Sequence, residues 1–297
     1  MSLGIVIKGP EGLILASESR VTLTAQGRAL PGAPNLPGGL GGQMLSVTFD
    51  HATKLLAFSA PHTYVGAVTF GQAIIGLAQP RTPASFIPEL EASLPQQRVS
   101  VAQFAQLLSA FYLQQWQERM PPPPSLPSPS PEQPAQPGGY TGLDVTFVVG
   151  GFDEGAAYGR IFQFGIPSAP IPVEQNADPA FGLLWGGQQE IVDRLVKGYD
   201  PNLLLLAASA LQLDPDEVVT LRERLDALQL ALPINFLALQ DCVDLAILLI
   251  RTTIAVQQLT ISVRGVGGAI DVATITRQEG LRFVQRKQVV GETSGGM

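Results

Sequence analysis

The beginning of the chain constrains the fold more than any other stretch. Two short apolar runs, residues 4–7 and 13–16, flank a turn rich in glycine and proline at residues 9–12. Apolar runs on either side of such a turn predict a β-hairpin. Because the first strand would begin at residue 2, the start of the sequence is expected to be held in a sheet, whereas most chain ends fray.

Ser2, at the start of this early strand, carries groups that could take part in catalysis. It follows Met1, and a methionine before so small a residue is usually removed. Removal would leave an α-amine and a hydroxyl on one residue at the end of a strand. A hydroxyl needs a base within hydrogen-bond reach, and an α-amine with a reference pKa of about 7.7–8.0 can accept the proton. Ser2 is therefore a candidate nucleophile; the alternative is an ordinary second residue.

Charged residues are scarce in this chain. Of its 297 residues, 45% are hydrophobic and 14% are charged, against about 25% charged in typical soluble domains. A surface so poor in charge favours contact with other subunits, so we expect a homo-oligomer. The net charge of −7 argues against a nucleic-acid partner.

The apolar runs and the cysteine content bear on location and cofactors. The longest apolar runs fall short of the roughly 18 residues that a membrane helix needs, and no signal-peptide pattern is visible. We therefore expect a cytoplasmic protein without a membrane partner. Cys242 is the single cysteine, and the two histidines are His51 and His62. These are too few for an internal disulfide or a zinc site, so no metal and no cofactor are predicted.

The order of elements predicts the fold class. Besides the opening hairpin, strands are expected at 21–24, in a hairpin of 45–49 with 55–58, at 62–68, in a pair of 144–150 with 158–164, and at 181–185, 259–263, 270–274 and 281–286. Helices are expected at 72–78, at 99–120, after 187, and at 202–213, 217–232 and 241–257. Strands and helices come in blocks without βαβ alternation. This predicts an α+β fold with two antiparallel sheets flanked by helices.

Three stretches interrupt this pattern. Residues 27–44 and 121–139 are rich in glycine or proline and read as inserted loops, and residues around 200–235 read as a helical insertion. Because the strand pattern resumes after the proline-rich stretch, that stretch reads as a loop insertion rather than a domain linker, and the sequence predicts one domain spanning 1–297.

Four motifs in this order resemble proteasome subunits. They are residues 4–8 with 12–22, residues 53–55 with 66–71, residues 148–153 with 160–165, and residues 266–272 with 279–280. The resemblance covers nearly the whole chain and implies the four-layer αββα sandwich of N-terminal nucleophile (Ntn) hydrolases, stacked in rings. It also implies a peptide or protein substrate, whereas the sequence does not identify a regulatory ATPase partner.

The resemblance also assigns roles to individual residues. Ser2 falls at the position of the nucleophilic threonine, Glu18 at that of an aspartate, and Lys54 at that of the lysine held beside it. The backbone N–H that stabilises the oxyanion corresponds to Phe70, whose side chain is expected to crowd the cleft. The alternatives are a surface lysine at Lys54 and, for Glu18, an ion pair with Arg20 or with another surface base.

Other positions depart from the family pattern. Val263 and Val266 stand about where active members have an aspartate and a serine, and Gly186 with Gly187 replaces a turn that contains a serine. Two hypotheses follow. One is a proteasome-like peptidase or amidohydrolase with Ser2 as nucleophile. The other is a non-catalytic, structural ring subunit or pseudoenzyme that keeps the fold.

Overall fold

The computed structural model describes residues 2–26, 44–120, 143–261 and 264–291. The strands are β1 Leu3–Lys8, β2 Leu13–Glu18, β3 Val21–Gln26, β4 Met44–Phe49, β5 Leu55–Ala57, β6 Val65–Gly71, β7 Val145–Gly151, β8 Arg160–Ile166, β9 Ala169–Gln175, β10 Gly182–Gly187, β11 Ile270–Thr276 and β12 Gly280–Gln285. The helices are α1 Ile87–Ser93, α2 Val101–Arg119, α3 Glu190–Val196, α4 Asn202–Leu211, α5 Pro215–Asp226 and α6 Leu239–Leu259, with 3-10 turns at Pro83–Phe86 and Ile234–Phe236.

The strands form two five-stranded sheets and one separate pair, all antiparallel. The first sheet has the order β10-β1-β2-β11-β12, and the second has the order β5-β6-β7-β8-β9. Strands β3 and β4 pair with each other. The predicted opening hairpin is present, with Gly4 opposite Ser17 and Lys8 opposite Leu13. The first strand thus lies inside its sheet, between β10 and β2, rather than at an edge, as expected for a strand that is apolar on both faces.

Side-chain alternation along β1 distributes the core between two sides of the first sheet. Val6 packs among residues of both sheets, including Leu15 of β2 and Val68 of β6. Ile5 and Ile7 point to the other face and contact residues of α6. The outer face of the second sheet packs against α1 and α2. The predicted mixed α+β architecture with antiparallel sheets and helices is thus confirmed.

The predicted helix at 99–120 is confirmed as α2, and its start is fixed by two acceptors. The Ser100 hydroxyl accepts a hydrogen bond from the backbone N–H of Gln103 at 3.2 Å. Asp153 Oδ1, in the turn after β7, accepts one from the N–H of Val101 at 2.6 Å. Both bonds satisfy N–H groups that a helix start leaves unpaired, so α2 is anchored to the second sheet.

The predicted helix at 72–78 is wrong. Ile75 forms an isolated antiparallel bridge with Arg81, and Gly76 has a φ of +97°. A positive φ ends helical geometry, and only glycine adopts it readily. A 3-10 turn begins instead at Pro83, whose fixed φ suits a first turn, and α1 follows from Ile87.

The predicted hairpin of 45–49 with 55–58 is also wrong. Strand β4 pairs with β3, and β5 pairs with β6. The segment between them does not turn back, because the N–H of Ala52 donates to the carbonyl of Ser19 at 2.9 Å. Contacts distant in sequence therefore override a local turn signal.

The remaining corrections concern the C-terminal half. The strand predicted at 259–263 is wrong where it is described, since α6 continues to Leu259; residues 262 and 263 lie outside the described ranges. The helix predicted at 217–232 ends at Asp226. Strand β9 was not predicted because Pro170 and Pro172 argue against a strand, yet an edge strand tolerates them. The predicted loops 27–44 and 121–139 lie outside the described residues, apart from Met44, which begins β4.

Candidate functional site

Glu18, at the end of β2, is the centre of the candidate site. Its carboxylate is 1% exposed. Oε1 accepts a hydrogen bond from the N–H of Leu3 at 3.1 Å and another from the Lys54 ammonium. Oε2 accepts from the N–H of Arg20 at 2.6 Å and from the N–H of Gly267 at 3.1 Å. Four donors therefore fix a buried carboxylate next to the start of β1.

Lys54 lies directly before β5 and is 4% exposed. Its ammonium donates to Glu18 and to the carbonyl of Arg20. The guanidinium of Arg20 binds Asp50 through two hydrogen bonds, of 2.5 and 2.8 Å. The structure thus pairs Glu18 with Lys54, not with the guanidinium of Arg20, and Lys54 is not a surface lysine.

Burial shifts the pKa of each member of this pair in the direction that favours its neutral form. Removal from water raises the pKa of Glu18, and the charge of Lys54 opposes that shift. Removal from water likewise lowers the pKa of Lys54; Glu18 opposes this, and the more distant charge of Lys287 adds to it. Lys54 therefore depends on Glu18 to hold its proton, and a proton moves more easily from this lysine than from an exposed one.

Ser2 lies beside this pair. It is 2% exposed, and its carbonyl accepts a hydrogen bond from the N–H of Gln188 at 2.7 Å. Ser2, Lys54, Thr69 and Phe70 line a common cavity of about 10 Å³, which has room for roughly one water molecule. The structure thus brings the predicted residues Ser2 and Lys54 together around a small space, and Lys54 binds the third predicted residue, Glu18.

The Phe70 side chain explains the glycines opposite it. A Cβ on Gly186 would collide with the Phe70 ring, and one on Gly4 would lie 2.9 Å from its Cδ1 atom. A Cβ on Gly187, where φ is +97°, would collide with the carbonyl of Ser2. The Gly-Gly pair therefore makes room for an aromatic ring and for the backbone of Ser2.

The backbone of β6 bears on the predicted oxyanion donor. The N–H of Thr69 donates to the carbonyl of Lys54 at 2.8 Å, and the N–H of Gln72 donates to that of Asp144 at 2.9 Å. Because successive N–H groups of a strand point to opposite edges, the N–H of Phe70 is directed towards β7. That of Gly71 is directed towards the side of Lys54. The role of Phe70 stays a prediction, and Gly71, which the sequence reasoning missed, is a competing donor that strand parity alone could have suggested.

A second buried ion pair lies on the neighbouring strand. Asp271 of β11 stands opposite Ser17 of β2. Its carboxylate binds the Lys287 ammonium, and its Oδ1 accepts a hydrogen bond from the N–H of Lys287 at 2.7 Å. Sequence reasoning missed this pair because its members belong to different elements: Asp271 falls in one of the family-like motifs, but nothing in that motif points to Lys287.

The comparisons with known proteins bear on the fold. No protein-family profile matches the sequence, and no curated protein matches it. A solved structure does match: the Gly-1 mutant of Anbu from Hyphomicrobium sp. strain MC1, with a TM-score of 0.51 over 97% of this chain and 86% of that one. The chain folds like Anbu. This likeness supports a proteasome-like fold.

The likeness to Anbu does not extend to individual residues, because the two sequences are 13% identical. At the positions that depart from the resembled family, only the present structure is informative. Val266 is buried, and its N–H donates to Gln257 Oε1 at 2.9 Å. Val263 lies outside the described residues. A buried amide–backbone contact thus occupies the place where an active member is expected to carry a serine.

The described residues contain no group of three or more histidine, cysteine, aspartate or glutamate side chains arranged to hold a metal ion. None of the helices in those ranges is both long and apolar enough to cross a bilayer.

Proposed function

We propose that this protein is an Ntn-type hydrolase of peptide or amide bonds. It has the four-layer αββα sandwich, assembles from several copies and uses Ser2 as its nucleophile. The observation that carries the proposal is the buried Glu18–Lys54 pair, fixed by the N–H of Leu3 beside Ser2. A buried ion pair costs desolvation energy, and well-packed apolar residues in its place would often be as stable. Its position at the start of β1 is what the chemistry of an N-terminal nucleophile requires.

Each group has a defined task in this mechanism. Once Ser2 is the first residue, its α-amine takes the proton of its hydroxyl as the oxygen attacks the substrate carbonyl. The intermediate then breaks the amide bond, the leaving amine takes that proton, and water releases the acyl group from Ser2. The Lys54 cation lowers the pKa of that amine and so favours its neutral, basic form. Glu18 keeps Lys54 protonated and in place. The N–H of Gly71 or of Phe70 donates to the developing oxyanion.

Hydrolysis of fluorogenic peptide amides tests this proposal. The protein is expected to cleave at least one such amide, and Ser2→Ala is expected to abolish the cleavage. Lys54→Met is expected to lower kcat by about 100-fold or more. Ser209→Ala, on the exposed side of α4, is the matched control and should leave the rate unchanged. Cleavage that survives Ser2→Ala would contradict the assignment of the nucleophile.

The second candidate is a non-catalytic structural subunit, and the small size of the cavity favours it. The space of about 10 Å³ beside Ser2 is far smaller than a peptide, and the Phe70 ring packs against Gly4 and Gly186. The hydrolase proposal therefore requires Phe70 to move when substrate binds. Phe70→Ala separates the two candidates, because it should change KM for the amide if the protein is a hydrolase. No cleavage by either form would favour the structural subunit.

A further inference from the structure

Helices α4 and α5 present an apolar surface that the described part of the chain leaves uncovered. Leu204 is the one buried residue of α4, and α5 has none. Leu205, Leu206 and Leu211 are 70%, 67% and 68% exposed. A helix that is apolar on nearly all sides is normally buried, and clustered exposed apolar residues mark interaction surfaces.

A groove runs along one side of α5. It has a volume of about 400 Å³ and is lined by Leu211, Leu213, Leu221, Asp216, Thr220 and Arg224, together with Asp214 and Glu217 at its acidic end. Asp214 and Glu217 bind each other's backbone N–H groups in a capping box, so their carboxylates are already engaged. We call this feature the α5 groove. Its floor is apolar and its ends carry opposite charges.

Asp216, Thr220 and Arg224 form a ridge along the α5 groove, because they stand at positions i, i+4 and i+8 of one helix. Among the described residues, the side chains of Asp216 and Arg224 have no hydrogen-bond or ion-pair partner. Thr220 lies midway between them. The ridge therefore has an acid at one end, a base at the other and a small residue at its centre.

This pattern is complementary to itself. When a second α5 lies antiparallel on the first, with a two-fold axis at Thr220, Asp216 of each copy meets the partner's Arg224. The two-fold axis thus creates two identical ion pairs, each between Asp216 of one copy and Arg224 of the other. The small Thr220 side chain lets the two helices approach closely. An isologous contact of two identical surfaces requires such an arrangement. Binding of a different protein would not require the charges of this chain to be complementary to themselves.

We propose that the α5 groove is the contact between two copies of this chain, related by a two-fold axis at Thr220. The apolar side chains of the groove are buried in that contact, and the pairs between Asp216 and Arg224 fix its antiparallel direction. The contact is independent of the chemistry at Ser2. A monomeric protein would therefore overturn this contact and the assembly of several copies proposed above, but not the assignment of Ser2 as nucleophile.

Charge exchange tests the direction of the contact on the full chain, with light scattering after gel filtration as the readout. Asp216→Arg and Arg224→Asp each place like charges opposite each other twice, so each should raise the dissociation constant of the contact about tenfold or more. The double exchange restores opposite charges and should recover the wild-type assembly. Arg222→Asp makes the same charge change off the ridge and is the matched control.

Three results would overturn the proposal. They are a monomeric wild type, single exchanges that leave the assembly unchanged, and a double exchange no better than the single ones. The last comparison is decisive because Asp216 and Arg224 are two turns apart on one helix and do not meet within a copy. Far-UV circular dichroism shows whether each variant is folded.

Cross-linking tests the position of the two-fold axis. A disulfide needs Cβ atoms about 3.5–4.5 Å apart, a condition that a residue on the axis meets with its own copy. Thr220→Cys should therefore give a covalent dimer under mild oxidation. Glu223→Cys, on the same helix but off the ridge, should not. Equal cross-linking of both variants, or none for Thr220→Cys, would overturn this arrangement.

Discussion

At the scale of single residues, the structure depends on a carboxylate and an ammonium that water does not reach. Glu18 is saturated by four donors, and Lys54 relies on it for its charge. Removing one partner of a buried pair leaves the other uncompensated, which costs about 3–5 kcal/mol. We therefore expect Glu18→Gln to lower the free energy of unfolding by about that amount in urea titrations. Glu154→Gln, at an exposed turn, is the control.

The same variant has a predicted pH dependence. Burial lowers the pKa of Lys54 below its ordinary 10.5, and loss of Glu18 removes the charge that opposes this shift. Between the lowered pKa and 10.5 the unfolded chain binds more protons than the folded one. The stability of Glu18→Gln should consequently rise with pH through that window. A flat profile, or one that falls, would contradict the assignment of Glu18 as the group that keeps Lys54 charged.

The contact between Phe70 and Gly186 gives a second prediction at this scale. A methyl group on Gly186 collides with the ring, and overpacking of this kind costs about 1–3 kcal/mol. Gly186→Ala should therefore destabilise the protein by that amount, and by less in a Phe70→Leu background. Gly9→Ala is the control, because its Cβ would lie 3.4 Å from the nearest atom, at ordinary contact distance. Equal costs in both backgrounds would show that the ring is not the obstacle.

At the scale of elements, α2 is tied to the second sheet through one carboxylate. Asp153 accepts from the N–H of Val101 and pairs with Arg160 at 3.1 Å. Asp153→Ala leaves a helix-start N–H without this partner, so a loss of about 1–3 kcal/mol is expected in global unfolding. Asp153→Asn keeps an acceptor oxygen and should recover most of it. If the asparagine variant is as unstable as the alanine variant, the loss of stability comes from the ion pair with Arg160 and not from the hydrogen bond at the helix start.

Elements with strong local patterns could be predicted from the sequence. The opening hairpin, α2 and the β7–β8 pair all have periodic apolar residues and clear ends. The pairing of β4 with β3 could not be predicted, because the bond from Ala52 to Ser19 spans two strands. The bend at Gly76 was missed because a φ of +97° overrides a helical apolar pattern.

The candidate site was predictable in part for the same reason. Ser2, Glu18 and Lys54 were found through their resemblance to a family motif, and the structure places them side by side. Local patterns gave no sign of Asp271 with Lys287. Their pairing depends on the register of β11 against β2 and on the turn of chain after β12.

At the scale of the whole molecule, Cys242 reports whether the two sheets unfold together. This buried thiol packs in α6 against the first sheet, and burial raises its pKa from 9.0 to about 11. Its thiolate should be about 100-fold scarcer than that of a free thiol near pH 8, so native protein should react very slowly with a thiol reagent. If the chain is one domain, labelling in urea should appear at the same midpoint as the fluorescence change of Trp116, which packs with the second sheet, measured in a Trp185→Phe background because Trp185 lies in β10 of the first sheet. Separate midpoints would indicate two domains.

The central claim is that Ser2, exposed as the first residue and served by Lys54 and Glu18, is a nucleophile. Intact-mass spectrometry of the purified protein, before and after incubation with a β-lactone, tests it most directly. We predict a mass that lacks the methionine and then increases by one molecule of lactone, with fragmentation placing the adduct on Ser2; Ser2→Ala should gain none. Retained Met1, or an adduct that Ser2→Ala still forms, would contradict the claim.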